Sequence, residues 1–172
     1  MICPHCGHDN IPGVDACEVC GQPLSGLDLT TSELERAITE HPVRALVPKK
    51  PLTVSGETTV SDAIDAMVQH RIGCLLVEQD GQITGIFTER DVLNRILPDR
   101  TNLFSPVSDF MTVSPETISR TDSIAYAMHC MSVGGYRHLP VAGSQGDAIG
   151  MISARDLLRY LSIRFADIRD DS

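Results

Sequence analysis

The heptad Gly85-Ile86-Phe87-Thr88-Glu89-Arg90-Asp91 returns near the C-terminus as Gly150-Met151-Ile152-Ser153-Ala154-Arg155-Asp156. Each copy reads as a glycine, two apolar residues, a hydroxyl residue, two spacers and an aspartate, and an amphipathic helical pattern follows it. The pattern predicts a strand that runs into a helix, with Thr88 or Ser153 as the N-cap residue. The aspartate then lies near the positive end of the helix dipole. A single copy would also be an ordinary capping box, which any helix leaving a strand can use.

The two heptads belong to a longer duplication. A shift of 64 residues pairs similar residues along the chain, and one extra residue in the loop 142–147 changes the shift to 65 for the heptads. The paired positions include Pro51 and Pro115, Thr53 and Thr117, Val54 and Ile118, Val60 and Ile124, Met67 and Met131, Leu75 and Leu139, and Val77 and Val141. A repeat of this length predicts two copies of one supersecondary unit, each burying its apolar face partly against the other.

Each copy has the pattern strand, helix, strand, strand, helix. In the first copy we expect a strand at 52–54, a helix over 60–67, a strand at 74–77, a turn at 79–82 and the heptad strand. In the second copy we expect a strand about Thr117, a helix over 124–131, a strand at 139–141, a turn at 143–147, a strand at 148–152 and a helix from Arg155. The fold class is therefore α+β.

Four motifs of the second copy together resemble a CBS domain, named for cystathionine beta-synthase. They are Asp109-Phe110-Met111-Thr112, Glu116-Thr117-Ile118, Arg137-His138-Leu139-Pro140-Val141 and the second heptad. The tandem resembles the paired arrangement called a Bateman module, over roughly residues 43–165. The resemblance implies two CBS units, at 43–104 and 105–166, packed as a pseudo-twofold pair, with a tail at 167–172. It also implies a regulatory protein and not an enzyme, and the sequence shows no recognisable nucleophile or acid–base arrangement.

The resemblance further implies a ligand that contains adenosine, such as AMP, ADP or ATP, bound between the two units. Asp91 or Asp156 would accept hydrogen bonds from the ribose diol. Thr88 and Ser153, beside first-turn amides, would face ribose or phosphate. The full set of expected ligand-binding residues is Thr53, Thr88, Asp91, Thr117, Arg137, His138, Pro140, Ser153 and Asp156, with Thr53 and Thr117 at the adenine.

The two copies differ where phosphate would bind. The second copy has Arg137-His138 before its central strand, which resembles the paired basic residues that contact phosphate in the gamma subunit of AMP-activated kinase. The first copy has the uncharged pair Gly73-Cys74 there. We therefore expect one strong anion site and a second site that is weak or empty. His138 has an alternative interpretation, as a hydrogen-bonded residue at a domain interface.

Residues 1–26 form a separate unit with two C-x-x-C-G knuckles, whose cysteines are Cys3, Cys6, Cys17 and Cys20. Four thiolates at this spacing can surround one Zn²⁺ tetrahedrally, so the unit resembles a short zinc ribbon with a structural metal. A disulfide pair, a redox C-x-x-C motif and rubredoxin-like iron are the competing interpretations. With four thiolates available, His5 and His8 are expected to be solvent-facing loop residues.

Charge argues against a nucleic-acid partner. The net charge of the 172-residue chain is −9, and no Lys or Arg precedes Arg36. A ribbon with acidic side chains and a tetrathiolate metal centre would repel phosphate. The sequence also lacks a bilayer-spanning apolar run and a secretory pattern, from which we expect no membrane association and a cytoplasmic location.

The linker 27–42 contains a capping box at Ser32 to Glu35 and a short helix that ends before Pro42. Its narrow apolar stripe predicts docking on the repeat domain, docking on a second subunit, or a role as a spacer only. The family resemblance favours a homodimer through the CBS units, with Leu93, Leu97, Leu157 and Leu161 as candidate contacts or as intramolecular core. Two functions follow: a nucleotide sensor that signals in trans to an unknown protein, or a ligand-independent dimeric adaptor.

Overall fold

The computed structural model describes residues 2–11, 14–24 and 33–170. The elements are α1 (Glu33–Glu40), β1 (Thr53–Ser55), α2 (Val60–His70), β2 (Cys74–Gln79), β3 (Gln82–Thr88), α3 (Glu89–Asp91), β4 (Thr112–Val113), α4 (Ile124–Gly134), β5 (His138–Ala142), β6 (Ala148–Ser153) and α5 (Ala154–Asp170). A π-helical turn over Val92–Ile96 continues α3, and 3₁₀ turns cover Val43–Leu46, Arg100–Phe104 and Val107–Asp109. The mixed α+β class is confirmed. The predicted capping box at Ser32 and most of the connector before it lie outside the described residues.

The first copy forms the predicted strand, helix, strand, strand, helix order. Its sheet has the strand order β1-β2-β3-β4, with β1 parallel to β2 and β3 antiparallel to both neighbours. The β2–β3 hairpin turns at Asp80 and Gly81, both with positive φ, which is the backbone that a two-residue hairpin loop requires. Helix α2 covers one sheet face, and its apolar side chains bury Phe87 at the centre of the core.

The second copy repeats this pattern with a shorter first strand. Val54 pairs with Val77 in the first copy, and the equivalent pair in the second copy, Ile118 and Val141, forms a single parallel bridge. The predicted strand about Thr117 is therefore reduced to one bridge, while α4, β5, β6 and α5 form as predicted. The last helix also differs, because α5 has 17 residues whereas α3 has three.

Each copy begins with a short segment, which we call its leader, that pairs with the other copy. The leader over 105–113 bonds to the first copy: Val60 N donates to Ser105 O at 3.0 Å, and β4 pairs with β3. The leader over 41–49 bonds to the second copy: Ile124 N donates to His41 O at 2.9 Å, and Lys49 bridges Met151. A shift of 64 residues relates Val60 to Ile124 and Ser105 to His41, so the exchange is reciprocal.

This exchange explains why both heptads begin with glycine. A Cβ atom added at Gly85 would collide with the Met111 side chain, and one added at Gly150 would lie 2.7 Å from Pro48 Cβ. Met111 and Pro48 belong to the leaders that cross β3 and β6. Only a residue without a side chain lets the leader approach this closely.

The linker helix α1 docks on the second copy. It packs against α4 and α5, and the buried Tyr160 hydroxyl on α5 lies 3.2 Å from Ala37 O and 2.6 Å from His41 Nδ1. The docking interpretation of α1 is therefore correct. Leu157 is buried at 6% exposure, which agrees with its alternative interpretation as intramolecular core, whereas Leu93 and Leu97 are exposed.

The chain divides into two compact units that do not follow the repeats. One unit comprises 1–47, 120–137 and 153–172, and the other comprises 48–119 and 138–152. Every contact described above lies within one of these units. Within the described residues, no helix combines the length and apolar character needed to cross a bilayer.

Candidate functional site

The first heptad forms a two-way capping box. The backbone N–H and the hydroxyl of Thr88 both donate to Asp91 Oδ2, at 3.0 and 2.6 Å, and Asp91 N donates to Thr88 Oγ1 at 3.4 Å. The carboxylate is buried at 6% exposure. Its second oxygen, Oδ1, lies 3.6 Å from Arg95 Nε, and Arg95 is itself anchored on backbone carbonyls at 110 and 111.

The second heptad repeats this geometry closely. Ser153 N and Oγ donate to Asp156 Oδ2 at 2.9 and 2.5 Å, and Asp156 N donates to Ser153 Oγ at 3.4 Å. Asp156 is 9% exposed. Its partner Arg159 is 4.0 Å away, and the Arg159 side chain is 65% exposed, against 47% for Arg95. The second carboxylate is therefore held less tightly by its arginine than the first.

Both aspartates thus have a structural role, because each holds its helix start together. A carboxylate oxygen that accepts two hydrogen bonds is largely occupied, which leaves Oδ1 as the atom that faces other partners.

Arg137 and His138 are neighbours in sequence but contact different parts of the molecule. Arg137 is exposed, and its carbonyl accepts a 2.9 Å bond from Ala154 N, which places it at the start of α5 beside Ser153 and Asp156. We call these three residues the α5 cluster. His138, half-buried, instead lies over Gly73: a Cβ at Gly73 would be 3.3 Å from both His138 Cε1 and the Glu89 carboxyl carbon.

The first copy has the same backbone bond at this position but a different side chain. Glu89 N donates to Gly73 O at 3.0 Å, as Ala154 N does to Arg137 O in the second copy, so glycine stands where the second copy has arginine. The exposed carboxylate Glu89 begins α3, whereas the uncharged Ala154 begins α5. A carboxylate there is unfavourable for a phosphate, and the difference in anion binding between the two copies stays a prediction. Burial and the charge of Glu89 raise the pKa of Cys74 to about 12, so this thiol is an inert core residue.

The expected adenine-side residues lie on the first strand of each copy. Thr53 is half-buried in β1 and pairs with Leu76. Thr117 is exposed, and the next residue, Ile118, donates its N–H to the carbonyl of Pro140 at 3.0 Å. The structure thus brings Thr117 and Pro140 close together on adjoining segments.

The N-terminal cysteines converge. Each C-x-x-C-G segment folds as a knuckle: Gly7 and Gly21 both have φ of 71° and donate to the carbonyls of Cys3 and Cys17. The four Sγ atoms lie within 4.8 Å of one another, and two Sγ–Sγ distances, Cys3–Cys20 and Cys6–Cys17, are 3.6 Å.

These distances fit a tetrahedral metal. Zn–S bonds of about 2.3 Å give tetrahedral S–S edges of about 3.8 Å. A disulfide would need about 2.05 Å, and all four cysteines are free thiols in the structure. His5 and His8 are not among the converging ligands.

The thiols also show why a cation suits this site. Burial alone would raise the pKa of the Cys17 thiol. Hydrogen bonds from the backbone N–H groups of Cys20 and Val19 stabilise its thiolate and lower this pKa to about 6. Burial and the neighbouring cysteine side chains raise the pKa of Cys20 to about 12. Four sulfurs this close cannot all ionise together unless a positive ion lies among them.

Asn10 is a ribbon residue that the sequence patterns did not indicate. It is buried, donates from Nδ2 to His8 O at 3.0 Å and accepts from Glu18 N at 3.1 Å. The side chain therefore links the loop after the first knuckle to the second knuckle. Glu89, beside His138, was also missed, because nothing in its sequence context distinguishes it from the heptad's spacer residues.

The described geometry defines a class of protein: a tandem of two β-α-β-β-α units, each with a capped Ser/Thr-x-x-Asp turn at the start of its last helix. The family model for the CBS domain matches residues 43–98 and 107–163, so the chain belongs to the CBS-domain family and carries a tandem pair. CBS domains are generally regulatory, non-catalytic modules.

Among the relatives, an uncharacterized 17.7 kDa protein of Acidianus ambivalens is 31% identical over 120 residues, 69% of this chain and 72% of its own length. Longer curated relatives are matched over 52% of their length or less.

The solved structures that are similar to this chain include two CBS-domain proteins. One is a CBS-domain protein of Agrobacterium tumefaciens, with 28% identity and a TM-score of 0.65 over 69% of this chain and 98% of that one. The other is a CBS-domain protein of Pyrobaculum aerophilum complexed with AMP, with 22% identity and a TM-score of 0.63 over 71% of this chain and 98% of that one. At 22% identity the second likeness shows the fold alone.

Proposed function

We propose that this protein is a regulatory sensor that binds an adenine nucleotide at its second CBS domain and signals to a partner protein. The observation that carries the proposal is the α5 cluster. The Arg137 carbonyl is bonded to Ala154 N, and Ser153 and Asp156 form the capping box, so all three residues adjoin the start of α5. The N-terminal end of that helix carries the positive end of its dipole.

The chemistry of the cluster matches a nucleoside phosphate. Asp156 Oδ1 accepts hydrogen bonds from a ribose diol, while Oδ2 remains bonded to Ser153. The Arg137 guanidinium pairs with a phosphate, and first-turn amides add further donors. Thr117 and Pro140, on adjoining segments of their own unit, are proposed separately as residues that contact adenine. The AMP complex of the Pyrobaculum aerophilum protein supports this class of ligand.

The proposal assigns the stronger site to the second copy. In the first copy, Glu89 repels phosphate and the anchored Arg95 neutralises Asp91. Thr53, Thr88, Asp91 and His138 then form a second site of lower affinity. We further propose a homodimer through the exposed apolar positions Leu93 and Leu97.

The four-cysteine site is proposed to hold a structural Zn²⁺. Cys3, Cys6, Cys17 and Cys20 would be its ligands, and the ion would supply the folding energy that the small ribbon core lacks. The ribbon's lack of basic residues before Arg36 favours contact with protein over contact with nucleic acid.

Binding of AMP, ADP and ATP to the zinc-loaded protein, measured by calorimetry, tests the sensor. We expect Arg137→Ala and Asp156→Asn each to weaken binding at least tenfold. Arg100→Ala serves as a matched control, because it removes one exposed positive charge from a turn outside the site. If no nucleotide binds, or if all three variants behave alike, the sensor proposal is wrong and the adaptor alternative takes its place.

A further inference from the structure

The His5 side chain of the ribbon contacts the second CBS domain. The His5 ring lies edge-on to the His129 ring, with centroids 4.6 Å apart and planes at 63°, and 5.9 Å from the Tyr126 ring. Tyr126 and His129 are three residues apart, so they share one face of α4. Both distances are in the range at which aromatic rings attract each other. All three residues belong to the same compact unit.

The position of His5 depends on the four cysteines. His5 stands between the converging residues Cys3 and Cys6, in a loop whose ends are fixed by those side chains. Among the ribbon residues that the structure describes, the buried apolar side chains are Cys3, Cys17 and Leu24, so two of these three are themselves expected ligands. A core this small cannot hold the loop, and the metal must do so.

Helix α4 connects this contact with the α5 cluster. It ends at Gly134, its C-cap Gly135 adopts the left-handed conformation, and Arg137 follows two residues later. The Arg137 carbonyl is bonded to Ala154 N at the start of α5. A change in the stability of α4 therefore reaches Arg137 through a short, hydrogen-bonded segment.

We propose that the metal-loaded ribbon is a latch on helix α4, through which occupancy of the four-cysteine site controls the local stability of α4. A second effect, that metal loading also raises nucleotide affinity at the α5 cluster, rests on the proposed function. The stabilisation of α4 rests on the proposed zinc site but not on the proposed nucleotide sensor.

Hydrogen–deuterium exchange of the full-length protein, zinc-loaded and chelator-treated, tests the latch. We expect amides of 124–134 to exchange roughly two- to tenfold more slowly with zinc. Helix α2, the equivalent helix of the first copy, serves as the internal reference and is expected to change little. His5→Ala is expected to bind one zinc per chain, since all four cysteines remain, and to lose the zinc-dependent protection of α4.

His8→Ala is the matched control. It removes the other ribbon histidine but keeps the backbone carbonyl that accepts from Cys3 N and Asn10 Nδ2, so the protection should persist. The latch is overturned if α4 exchanges equally with and without zinc, if α2 changes as much as α4, if His5→Ala matches His8→Ala, or if the protein retains no zinc. The hydrogen–deuterium exchange measurement uses no nucleotide, so it tests the latch even if the protein binds no adenine nucleotide. Equal AMP affinity with and without zinc would overturn the second effect alone.

Discussion

Replacing the heptad aspartates separates their capping role from their charge. In Asp91→Ala, the N–H and hydroxyl of Thr88 lose an acceptor that lies 3.0 and 2.6 Å away. Thr88 is half-buried, so water can replace only part of the lost hydrogen bonding. We therefore expect the free energy of unfolding to fall by about 2 kcal/mol. In a chain of this size, that loss lowers the melting temperature by about 4–8 °C.

Asp91→Asn should behave differently. Its amide oxygen can accept the same two bonds, so the variant loses only the ion pair with Arg95, which is half exposed. That pair contributes about 0.5 kcal/mol, or about 1–2 °C. Asp156→Asn should lower the free energy of unfolding even less, because its ion-pair partner Arg159 is farther away, at 4.0 Å.

Thermal unfolding of the zinc-loaded protein, followed by circular dichroism, compares the alanine and asparagine variants of both aspartates: Asp91→Ala, Asp91→Asn, Asp156→Ala and Asp156→Asn. The alanine variants should melt several degrees below their asparagine counterparts in both copies. Equal destabilisation by alanine and asparagine would refute the argument, because it would mean that the charge and not the acceptor holds the helix start. A correct result also makes Asp156→Asn the suitable variant for binding experiments, since it keeps the fold.

Three further predictions concern thiols, packing and pH. In metal-loaded protein, none of the six cysteines should react quickly with a thiol reagent. After chelation the four cysteines of the metal site should react, whereas Cys74 and Cys130 should react only after denaturation. Rapid reaction in the metal-loaded protein would contradict a closed metal site. Gly85→Ala places a methyl group against the Met111 side chain and should lower the free energy of unfolding, measured in urea, by about 1–3 kcal/mol. An unchanged urea midpoint would show that the leader moves to accommodate the methyl group. Burial and the nearby His5 lower the pKa of His129 below its ordinary 6.5. The unfolded chain therefore binds this proton more readily than the folded chain does, and the free energy of unfolding should fall as the pH drops through 6.5. His129→Gln should reduce this dependence, and an identical pH profile would exclude His129 as its source.

The elements of the repeat were predictable because their signals are local. Apolar spacing marked α2 and α4, turn residues marked the β2–β3 hairpin, and the heptads marked both helix starts. The knuckle spacing likewise predicted which four sulfurs converge.

The leader exchange was not predictable from these patterns. Residues 41–49 and 105–113 carry no strand periodicity, and their partners lie far away in sequence, as with Lys49 and Met151. Such pairing is set by tertiary structure and not by local propensity. The glycines at the heptad starts were visible in the sequence, but the crossing leaders that require them were not.

The surroundings of Arg137 and His138 were not visible in the sequence either. The His138 side chain lies over Gly73, and the Arg137 carbonyl is bonded to Ala154 N. Both contacts join residues that are distant in sequence, so local patterns do not indicate them. The assignment of both residues to one anion-binding surface stays a prediction.

The leader exchange also indicates how a tandem of this kind can arise in evolution. A lone ancestral copy has no second copy to complete, so two identical chains must trade leaders, as in a domain-swapped dimer. Gene fusion converts that trade into an intramolecular one at a high effective concentration. Once both halves are encoded separately, each is free to diverge, and the glycine at position 73 against the arginine at position 137 records that divergence.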